Sequence, residues 1–300
     1  MDYDQIVEVL FRPSPPGAVS PPVVVGSSAR RLRDAIEPIA MHSVWSRGTN
    51  ERLDGFGLDF FGRYVWSRAA LLGDPDAGVV VSSFAWFEPG MLTATYEQAR
   101  AKCDRATLLA ARDEATIASL RAALGDADVA AVADRLAAAV VAADPTGRPL
   151  FAGLSRQTWP DDPVGRLWRA CELAREHRGD GHVAVSVTRG LDPVMMNVLT
   201  EVWVGFPLGS YSATRGWSPE QIAAAADRLR GGGLLVADEL TDAGRRLRDG
   251  IEADTDALEA SIVEALGPHL DADLVALDEW SARCVAARAF PPDVFKRAAG

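Results

Sequence analysis

Apolar residues recur every three or four positions along most of the chain, a spacing that places them on one face of an α-helix. Residues 58–73 follow this pattern. Alanine-rich stretches over 104–124 and 126–143 predict two further helices, and Asp144-Pro145-Thr146-Gly147 predicts the turn that follows them. The pattern as a whole predicts a mainly α-helical protein that has only small β elements.

Residues 1–26 depart from this pattern and predict an N-terminal arm and a linker. Five prolines fall between residues 12 and 26, and proline disfavours helix both at its own position and at the residue before it. The apolar stretch Ile6 to Phe11 predicts a strand or turn that docks on the rest of the protein. A helix capped by serine is then expected to begin at residue 27 or 28 and to run to about Ser46.

The sharpest local pattern lies in residues 217–258, where helix signals alternate with glycine and a short apolar run. It predicts a helix, a tight β-hairpin and a second, longer helix that continues to about residue 266. In order, the signals are a capping box in Ser218-Pro219-Glu220-Gln221, a stop at Gly231-Gly232-Gly233, a strand from Leu234-Leu235-Val236, a turn at Asp238-Glu239, a return strand from Leu240 and a cap at Thr241.

This order of elements resembles the wing of MarR-type winged-helix proteins, and the segments that carry the resemblance are 228–235 and 240–247. A longer resemblance covers most of the chain. It is to a bacterial family described as helix-turn-helix or MarR-like, and it implies a fold without an established chemistry. Its marks in this chain are YVWSRAALLG (64–73), FAWFEP (84–89), GRPL (147–150), REHRGDGH (175–182) and RGWS (215–218).

One position departs from that family. Its members tend to carry a histidine directly after Glu-Pro-Ile, where this chain has Ala40 and places its histidine two residues later, at His42.

The chain is expected to contain a degenerate winged-helix-like domain (27–150) and a MarR-like winged-helix domain with C-terminal helices (151–300). Matching residues recur at nearly one offset: Pro89 and Pro193 are 104 positions apart, and Gly78 and Gly181 are 103 apart. Such an offset indicates a tandem duplication, although alanine-rich chains also match by chance. If the duplication is real, the protein is an intramolecular pseudo-dimer with a cleft between its two halves.

Charge argues against DNA as the main partner but leaves it possible. The 300-residue chain has a formal net charge of −11 and a pI near 4.9, and acidic proteins repel the phosphate backbone unless a local patch is basic. The turn Asp238-Glu239 would present two carboxylates at the wing tip. Arg245, Arg246 and Arg248 form the one nearby basic cluster, and a solvated helix face explains it more simply.

Several protein classes are not indicated. Cys103, Cys171 and Cys284 are odd in number and far apart, so neither a disulfide framework nor a metal site is expected. The acidic N-terminus predicts no signal peptide, and no apolar run is long enough to span a membrane. Nucleotide-binding glycine loops and a G-x-S-x-G elbow are also missing. We therefore expect a cytoplasmic protein without cofactor, metal or membrane contact.

Residues 175–182, hereafter the ionic segment, form the densest polar stretch of the chain. A helix from about Val164 is expected to end at Gly179, with Asp180 capping the next helix. Three interpretations remain open: a solvated structural corner, a polar site for a small molecule, and a metal site, for which the ligand spacing is poor. If the protein is an enzyme, the acid–base candidates are Glu176, His177, Asp180 and His182.

Tryptophans in both halves can line a pocket for a planar apolar ligand, although ordinary core packing is the favoured explanation for them. The candidate ligand-binding residues are Trp66, Trp86, Trp168, His177, Arg178 and His182.

Three functional hypotheses follow from the sequence. The favoured one is a small-molecule-binding protein on a MarR-like winged-helix scaffold, in the role of a ligand-responsive transcriptional regulator. The alternative is an enzyme that transfers protons on an aromatic or apolar metabolite through residues 176–182. The third is a purely structural partner of another protein.

Overall fold

The computed structural model describes residues 3–14, 18 and 27–299. Most of the proline-rich linker lies outside them. The N-terminal helices are α1 (Tyr3–Leu10), α2 (Ser28–Ala40), α3 (His42–Trp45), α4 (Arg47–Asp54), α5 (Phe60–Ala69), α6 (Ala77–Phe84), α7 (Pro89–Arg100), α8 (Arg105–Leu124), α9 (Ala130–Val141) and α10 (Pro149–Ser155).

The remaining elements begin with the longest helix, α11 (Pro163–Thr188), and include one hairpin. They are α12 (Pro193–Val204), α13 (Pro219–Gly231), β1 (Leu235–Val236), β2 (Glu239–Leu240), α14 (Asp242–Ala257), α15 (Ala260–Leu266), α16 (Leu270–Ala286) and α17 (Val294–Ala299). Short 3₁₀ turns cover Ala70–Leu72, Ser212–Arg215 and Gly267–His269. The prediction of a mainly α protein with a small β element is confirmed.

Polar caps start most of these helices where the sequence places them. The predicted capping box of α13 forms in full, because Ser218 accepts from the Gln221 N–H while the Gln221 side chain accepts from the Ser218 N–H. Thr241 caps α14 as predicted. Other side-chain caps are Ser27, Ser46, Asp59, Glu88, Asp104, Asp162 and Asp192.

Four local predictions are wrong. Ile6 to Leu10 lie in helix α1 rather than in a strand, because Tyr3, Ile6 and Val7 bury one helical face against Met41, Val44, Phe60 and Phe290. The helix expected to reach Ser46 is interrupted at Met41. The helix expected to continue from the hairpin to about residue 266 ends at Ala257, and a separate helix, α15, begins at Ala260. The turn of the hairpin consists of Ala237 and Asp238, so Glu239 belongs to β2 and pairs with Val236.

Pro38 lies inside α2 and has no N–H to donate to the carbonyl of Asp34 four residues earlier. The Arg297 guanidinium, from α17, donates to that carbonyl instead. The C-terminal helix therefore satisfies an acceptor that proline leaves unpaired.

A further prediction, made for the ionic segment, is also wrong. Helix α11 does not end at Gly179, and Asp180 caps no following helix of its own; α11 runs unbroken over 26 residues. The charged side chains of the segment find partners on α5, α10, α14 and the Glu259 region, and these contacts require the helical spacing to continue. Tertiary contacts thus outweigh the local preference of glycine for a helix end.

Two cores organise the chain. The larger one takes buried side chains from α2 through α11 and again from α15 and α16, so it draws on both sides of residue 150. The smaller one joins α12, α13, the hairpin and α14 around Leu199, Ala226, Leu229, Leu235 and Ile251. Helices α12 and α13 followed by the hairpin therefore form a compact unit on α11 and α14.

The tandem arrangement stays a prediction. Helices α7 and α12 each have 12 residues and begin with proline, and the acidic caps Glu88 and Asp192 accept from the Met91 and Met195 N–H groups. Residues 27–150, all of which are described, contain no strand. The second half alone therefore carries a wing among the described residues.

Candidate functional site

A polar cavity of about 130 Å³ lies between the two halves, where α2, α5, α11, α12 and α14 meet. Charged groups dominate its wall, and arginines outnumber carboxylates six to four, which is the reverse of the balance in the whole chain. A cavity of this sign favours an anion. The charged lining residues are Arg33, Glu37, Arg68, Arg175, Glu176, Arg178, Asp180, Arg215, Arg248 and Glu252.

Glu176 is held by two arginines. Arg68 donates to both of its carboxylate oxygens, at 3.2 and 2.7 Å, and Arg175 donates to Oε1 at 3.0 Å. Burial alone would raise the pKa of Glu176, but these guanidiniums outweigh it and hold the pKa below its ordinary value. Glu176 is therefore a buried, permanently charged group whose lone pairs are already engaged.

Asp180 is the one carboxyl of the ionic segment with a raised pKa. Its Oδ2 accepts from the Phe151 N–H at 3.0 Å, so it caps the first turn of α10 from a neighbouring helix. Burial is the main cause that raises its pKa to about 7, and the charge of Glu176 adds to the effect. The pKa of Asp180 therefore lies near neutral pH, and the same carboxyl accepts a structural hydrogen bond.

His182 faces the polar cavity in a fixed tautomer. The Thr255 hydroxyl donates to the Ile251 carbonyl at 2.7 Å, so it accepts from His182 Nδ1 at 3.0 Å. Nε2 then carries the lone pair, and it makes no hydrogen bond with the described residues. Burial lowers the pKa of His182 to about 3, with the cations Arg248 and Arg178 contributing. The ring is neutral at physiological pH.

His177 and Arg178 are each held by carboxylates that follow α11 in the chain. His177 is buried, its Nδ1 lies 2.5 Å from a Glu259 oxygen, and Phe151 packs edge-on against it; it does not line the polar cavity. Arg178 lines the cavity, but its Nη2 is shared by Glu252 and Asp256 at 2.9 and 2.8 Å. The structure thus separates the two histidines that the sequence placed in one candidate site.

Of the three candidate tryptophans, Trp86 alone reaches the cavity, where its ring centroid lies 5.7 Å from that of His182. Trp66 and Trp168 are buried in the larger core, and their indole N–H groups donate to the carbonyls of Cys103 and Ala40. We therefore leave Trp66 and Trp168 out of the candidate site.

A larger apolar chamber of about 650 Å³ adjoins the polar cavity. Helix α1, the start of α5, the 206–216 loop and the 290–296 segment enclose it, and its wall is rich in aromatic side chains. The two spaces share six lining residues: Glu37, Tyr64, Phe87, Arg175, Tyr211 and Arg215. Together they form one amphipathic site, with an apolar body and a basic end.

Arg215 stands at the junction and has no carboxylate within ion-pair distance among the described residues. Its Nη2 donates to the Tyr211 hydroxyl at 2.7 Å, and its guanidinium lies 4.4 Å from the Tyr211 ring centroid and 5.2 Å from that of Phe87. The aromatic contacts hold the group in place without neutralising it. Arg215 is thus a positioned cation with hydrogen-bonding capacity to spare.

Sequence reasoning did not single out Arg215, Arg68 or Lys296, the last of which also lines the chamber. Two signals were available. Arg215 opens the RGWS stretch, and Lys296 is one of two lysines in a chain with 29 arginines.

One backbone carbonyl ties the cavity wall to the compact unit formed by α12, α13 and the hairpin. The Trp86 oxygen accepts from Asn197 Nδ2 at 2.7 Å and from Trp217 Nε1 at 3.0 Å. Asn197 belongs to α12, and Trp217 directly precedes Ser218, the N-cap of α13. Ala85, the residue before Trp86, has a φ of 52°, which is unusual for a residue with a side chain. A shift of Trp86 would therefore reach both helices.

Two arginines of α13 form ion pairs with carboxylates. On α13, Arg228 pairs with Asp192 at 2.6 Å, and Arg230 pairs with Asp227 and Asp238 at 2.7 and 2.8 Å. Asp238 and Glu239 are exposed at the hairpin. Contacts to DNA bases use free arginine or amide groups, and both of these guanidiniums are engaged by carboxylates.

Two further features are absent from the described part of the chain. No group of three or more His, Cys, Asp or Glu side chains there is arranged to hold a metal ion. None of the helices there combines the length and the apolar character that a membrane span requires. Cys103, Cys171 and Cys284 are buried free thiols.

Comparison with known proteins gives one match. No curated protein and no solved structure matches the chain. The profile of a family described as a helix-turn-helix family matches residues 29–291, which includes α12, α13, the hairpin and every described residue of the polar cavity wall except Ala298. The match covers most of the sequence and confirms the helix-turn-helix resemblance that the motifs suggested. The chain belongs to this helix-turn-helix family.

Proposed function

We propose that the protein binds an amphipathic organic anion, with the apolar body of the ligand in the chamber and its anionic group at Arg215. The observation that carries this proposal is the position of Arg215, which lines both spaces and lacks a carboxylate partner among the described residues. A positioned cation at the end of an apolar chamber favours a ligand of the same polarity pattern.

Size supports the same division of roles. Small-molecule sites commonly occupy about 300–1,000 Å³, and the chamber, at about 650 Å³, lies within that range. The polar cavity, at about 130 Å³, holds a head group or a few water molecules. The ligand body therefore belongs in the chamber and its charged group at the junction.

The remaining charges of the junction support an anionic group rather than a cation. Glu37 lies 3.3 Å from Arg175, and Arg68 engages both oxygens of Glu176, so these carboxylates are already paired. Burial opposes the ionisation of Glu37, but Arg175 and Arg33 hold its pKa below the ordinary value. An arriving anion meets paired carboxylates and one unpaired guanidinium.

Binding is better supported than proton transfer through residues 176–182. A general base works best with a pKa near the working pH, whereas burial lowers the pKa of His182 to about 3. Glu176 is engaged by two arginines, and His177 lies outside the cavity. Burial raises the pKa of Asp180 to about 7, but one of its oxygens already accepts a hydrogen bond from the first turn of α10.

We further propose that α12, α13 and the hairpin act as a helix-turn-helix unit and that ligand binding changes the position of this unit, as in a MarR-like, ligand-responsive regulator. Trp86 lies on the cavity wall, and its carbonyl holds both Asn197 and Trp217. A ligand that displaces Trp86 changes the anchorage of α12 and α13. Family membership supports a DNA partner for this unit, while its acidic hairpin opposes tight binding.

The test compares two probes with the same ring system, 2-naphthylacetate and the uncharged 2-(2-naphthyl)ethanol, by isothermal titration calorimetry at pH 7.5. A charge-assisted hydrogen bond contributes about 1.5–3 kcal/mol, so the carboxylate is expected to bind about 10- to 150-fold more tightly. Arg215→Gln should abolish this preference and leave alcohol binding unchanged.

Arg246→Gln is the matched control, because Arg246 is exposed on α14 and does not line either space. Equal affinity of the two probes for the unaltered protein, or a preference that survives Arg215→Gln, would contradict the proposal.

A further inference from the structure

The chain contains two lysines among 31 basic residues, and they occupy opposite environments. Lys102 is exposed and donates to the Gly57 carbonyl at 2.6 Å. Lys296, on α17, lines the apolar chamber. Where a cation is needed elsewhere, this chain uses arginine almost throughout. A primary amine supplies one property that arginine lacks at neutral pH, the capacity to react as a nucleophile.

The surroundings of Lys296 leave its amine available. Nζ donates one long hydrogen bond, 3.3 Å, to the Leu10 carbonyl, and no carboxylate of the described residues lies within ion-pair distance of it. The nearest acid along the chain, Asp293, directs Oδ1 to the Ser14 hydroxyl and to the Phe295 N–H at 2.8 and 2.9 Å. The amine therefore has free hydrogens and faces an apolar space.

The position of Lys296 is fixed from both sides. Arg297, the next residue, donates to the Asp34 carbonyl of α2, and the Arg297 carbonyl accepts from Arg33. Phe295, the preceding residue, packs edge-on against Phe206 with ring centroids 6.2 Å apart. These contacts hold α17 against the chamber and present the amine to its interior.

We infer that Lys296 forms an imine with an aldehyde or ketone group of a ligand bound in the apolar chamber. The inference rests on the proposed function, because it takes the chamber as a ligand site. The neutral amine nitrogen attacks the carbonyl carbon, the C=O π bond breaks with its electron pair going to the oxygen, and that oxygen takes one amine proton to give a carbinolamine. Loss of water, with the remaining amine proton passing to the departing oxygen, leaves a C=N bond and consumes no oxidant or reductant.

Electrostatics supports this chemistry. Burial lowers the pKa of Lys296 to about 8, and the positive charge of Arg215 adds to the effect, while Asp293 opposes it. Glu37 and Arg175 also line the chamber and largely neutralise each other. At pH 7.5 the neutral amine is then about two orders of magnitude more abundant than in an ordinary lysine, whose pKa is about 10.4.

The experiment uses 2-naphthaldehyde and sodium cyanoborohydride, which traps an imine as a stable secondary amine, followed by peptide mapping by mass spectrometry. We expect Lys296 to be modified at least tenfold faster than Lys102, with saturation kinetics and with inhibition by 2-naphthylacetate. The rate at Lys296 should rise with pH through about 8 and then level off. Lys296→Arg should remove the fast adduct, and Lys102→Arg should not.

Equal rates at the two lysines, or a Lys296 adduct that 2-naphthylacetate does not suppress although it binds, would overturn the inference. Calorimetry separates the two proposals. If 2-naphthylacetate binds with its charge preference but Lys296 stays unmodified, the imine is wrong and the binding function stands. If 2-naphthylacetate does not bind, both proposals fail together.

Discussion

Asp180→Asn should stabilise the protein at neutral and alkaline pH. The variant removes a buried negative charge and keeps an oxygen to accept from the Phe151 N–H. The folded protein holds the proton of Asp180 up to pH about 7, whereas the unfolded chain releases it near the ordinary value of 3.8. Because the unfolded state loses its proton first, stability decreases as pH rises from about 4 to about 7.

The magnitude follows from the two values. The difference between 3.8 and about 7, at 1.36 kcal/mol per pH unit, corresponds to roughly 4 kcal/mol of unfolding free energy above pH 7. Only part of this cost has developed at pH 5.5. The advantage of Asp180→Asn over the unaltered protein is therefore expected to grow by about 2 kcal/mol between pH 5.5 and pH 8.

Urea denaturation at pH 5.5 and pH 8 measures this growth, and subtracting the two proteins at each pH removes the contribution of every other titrating group. Asp161→Asn is the matched control, since Asp161 is exposed, and its effect should be small at both pH values. A stability difference between Asp180→Asn and the unaltered protein that does not change with pH would refute the assignment, as would a variant that is less stable at pH 8.

Two further predictions concern the helix-turn-helix unit. Asn197→Ala removes one of the two donors to the Trp86 carbonyl. The variant should keep the affinity for 2-naphthylacetate but show a smaller ligand-induced change in hydrogen exchange over residues 217–240. An undiminished change would show that the Trp86 contact does not carry the response. The double variant Asp227→Asn and Asp238→Asn removes both ion-pair partners of Arg230. It should increase the binding of non-specific duplex DNA at low salt several-fold, as measured by gel-shift titration. Unchanged binding would show that these ion pairs do not limit DNA contact.

Much of the secondary structure could be predicted from the sequence, because it depends on signals that lie close together along the chain. The capping box at Ser218, the glycine stop after α13 and the cap at Thr241 all form where the sequence indicates. The helix within residues 58–73 and the two alanine-rich helices are confirmed as well. Each of these elements is set by residues within one or two turns of one another.

The failures share a different cause. Gly179 and Asp180 form a typical helix boundary, yet α11 continues because Asp180, His177 and Arg178 are held by groups far away in sequence. No local pattern contains that information. Tryptophan positions were ambiguous for the same reason, since periodicity cannot distinguish a core residue such as Trp168 from a wall residue such as Trp86.

The candidate site was predicted in part. The sequence singled out Glu176, Arg178, Asp180, His182 and Trp86, and in the structure these five residues line one cavity. It did not reveal the apolar chamber, because α1, the 206–216 loop and the 290–296 segment meet there from distant parts of the chain. The role proposed for Arg215 depends on its having no carboxylate within ion-pair distance among the described residues, which is a property of the folded protein that no local sequence pattern reveals.

The most direct test of the account is a crystal of the protein soaked in 6-bromo-2-naphthylacetate, with the bromine located by anomalous diffraction. The account predicts one strong bromine peak inside the apolar chamber and the carboxylate within hydrogen-bond distance of Arg215. Bromine found only on the protein surface, or a ligand in the chamber with its carboxylate turned away from Arg215, would contradict it.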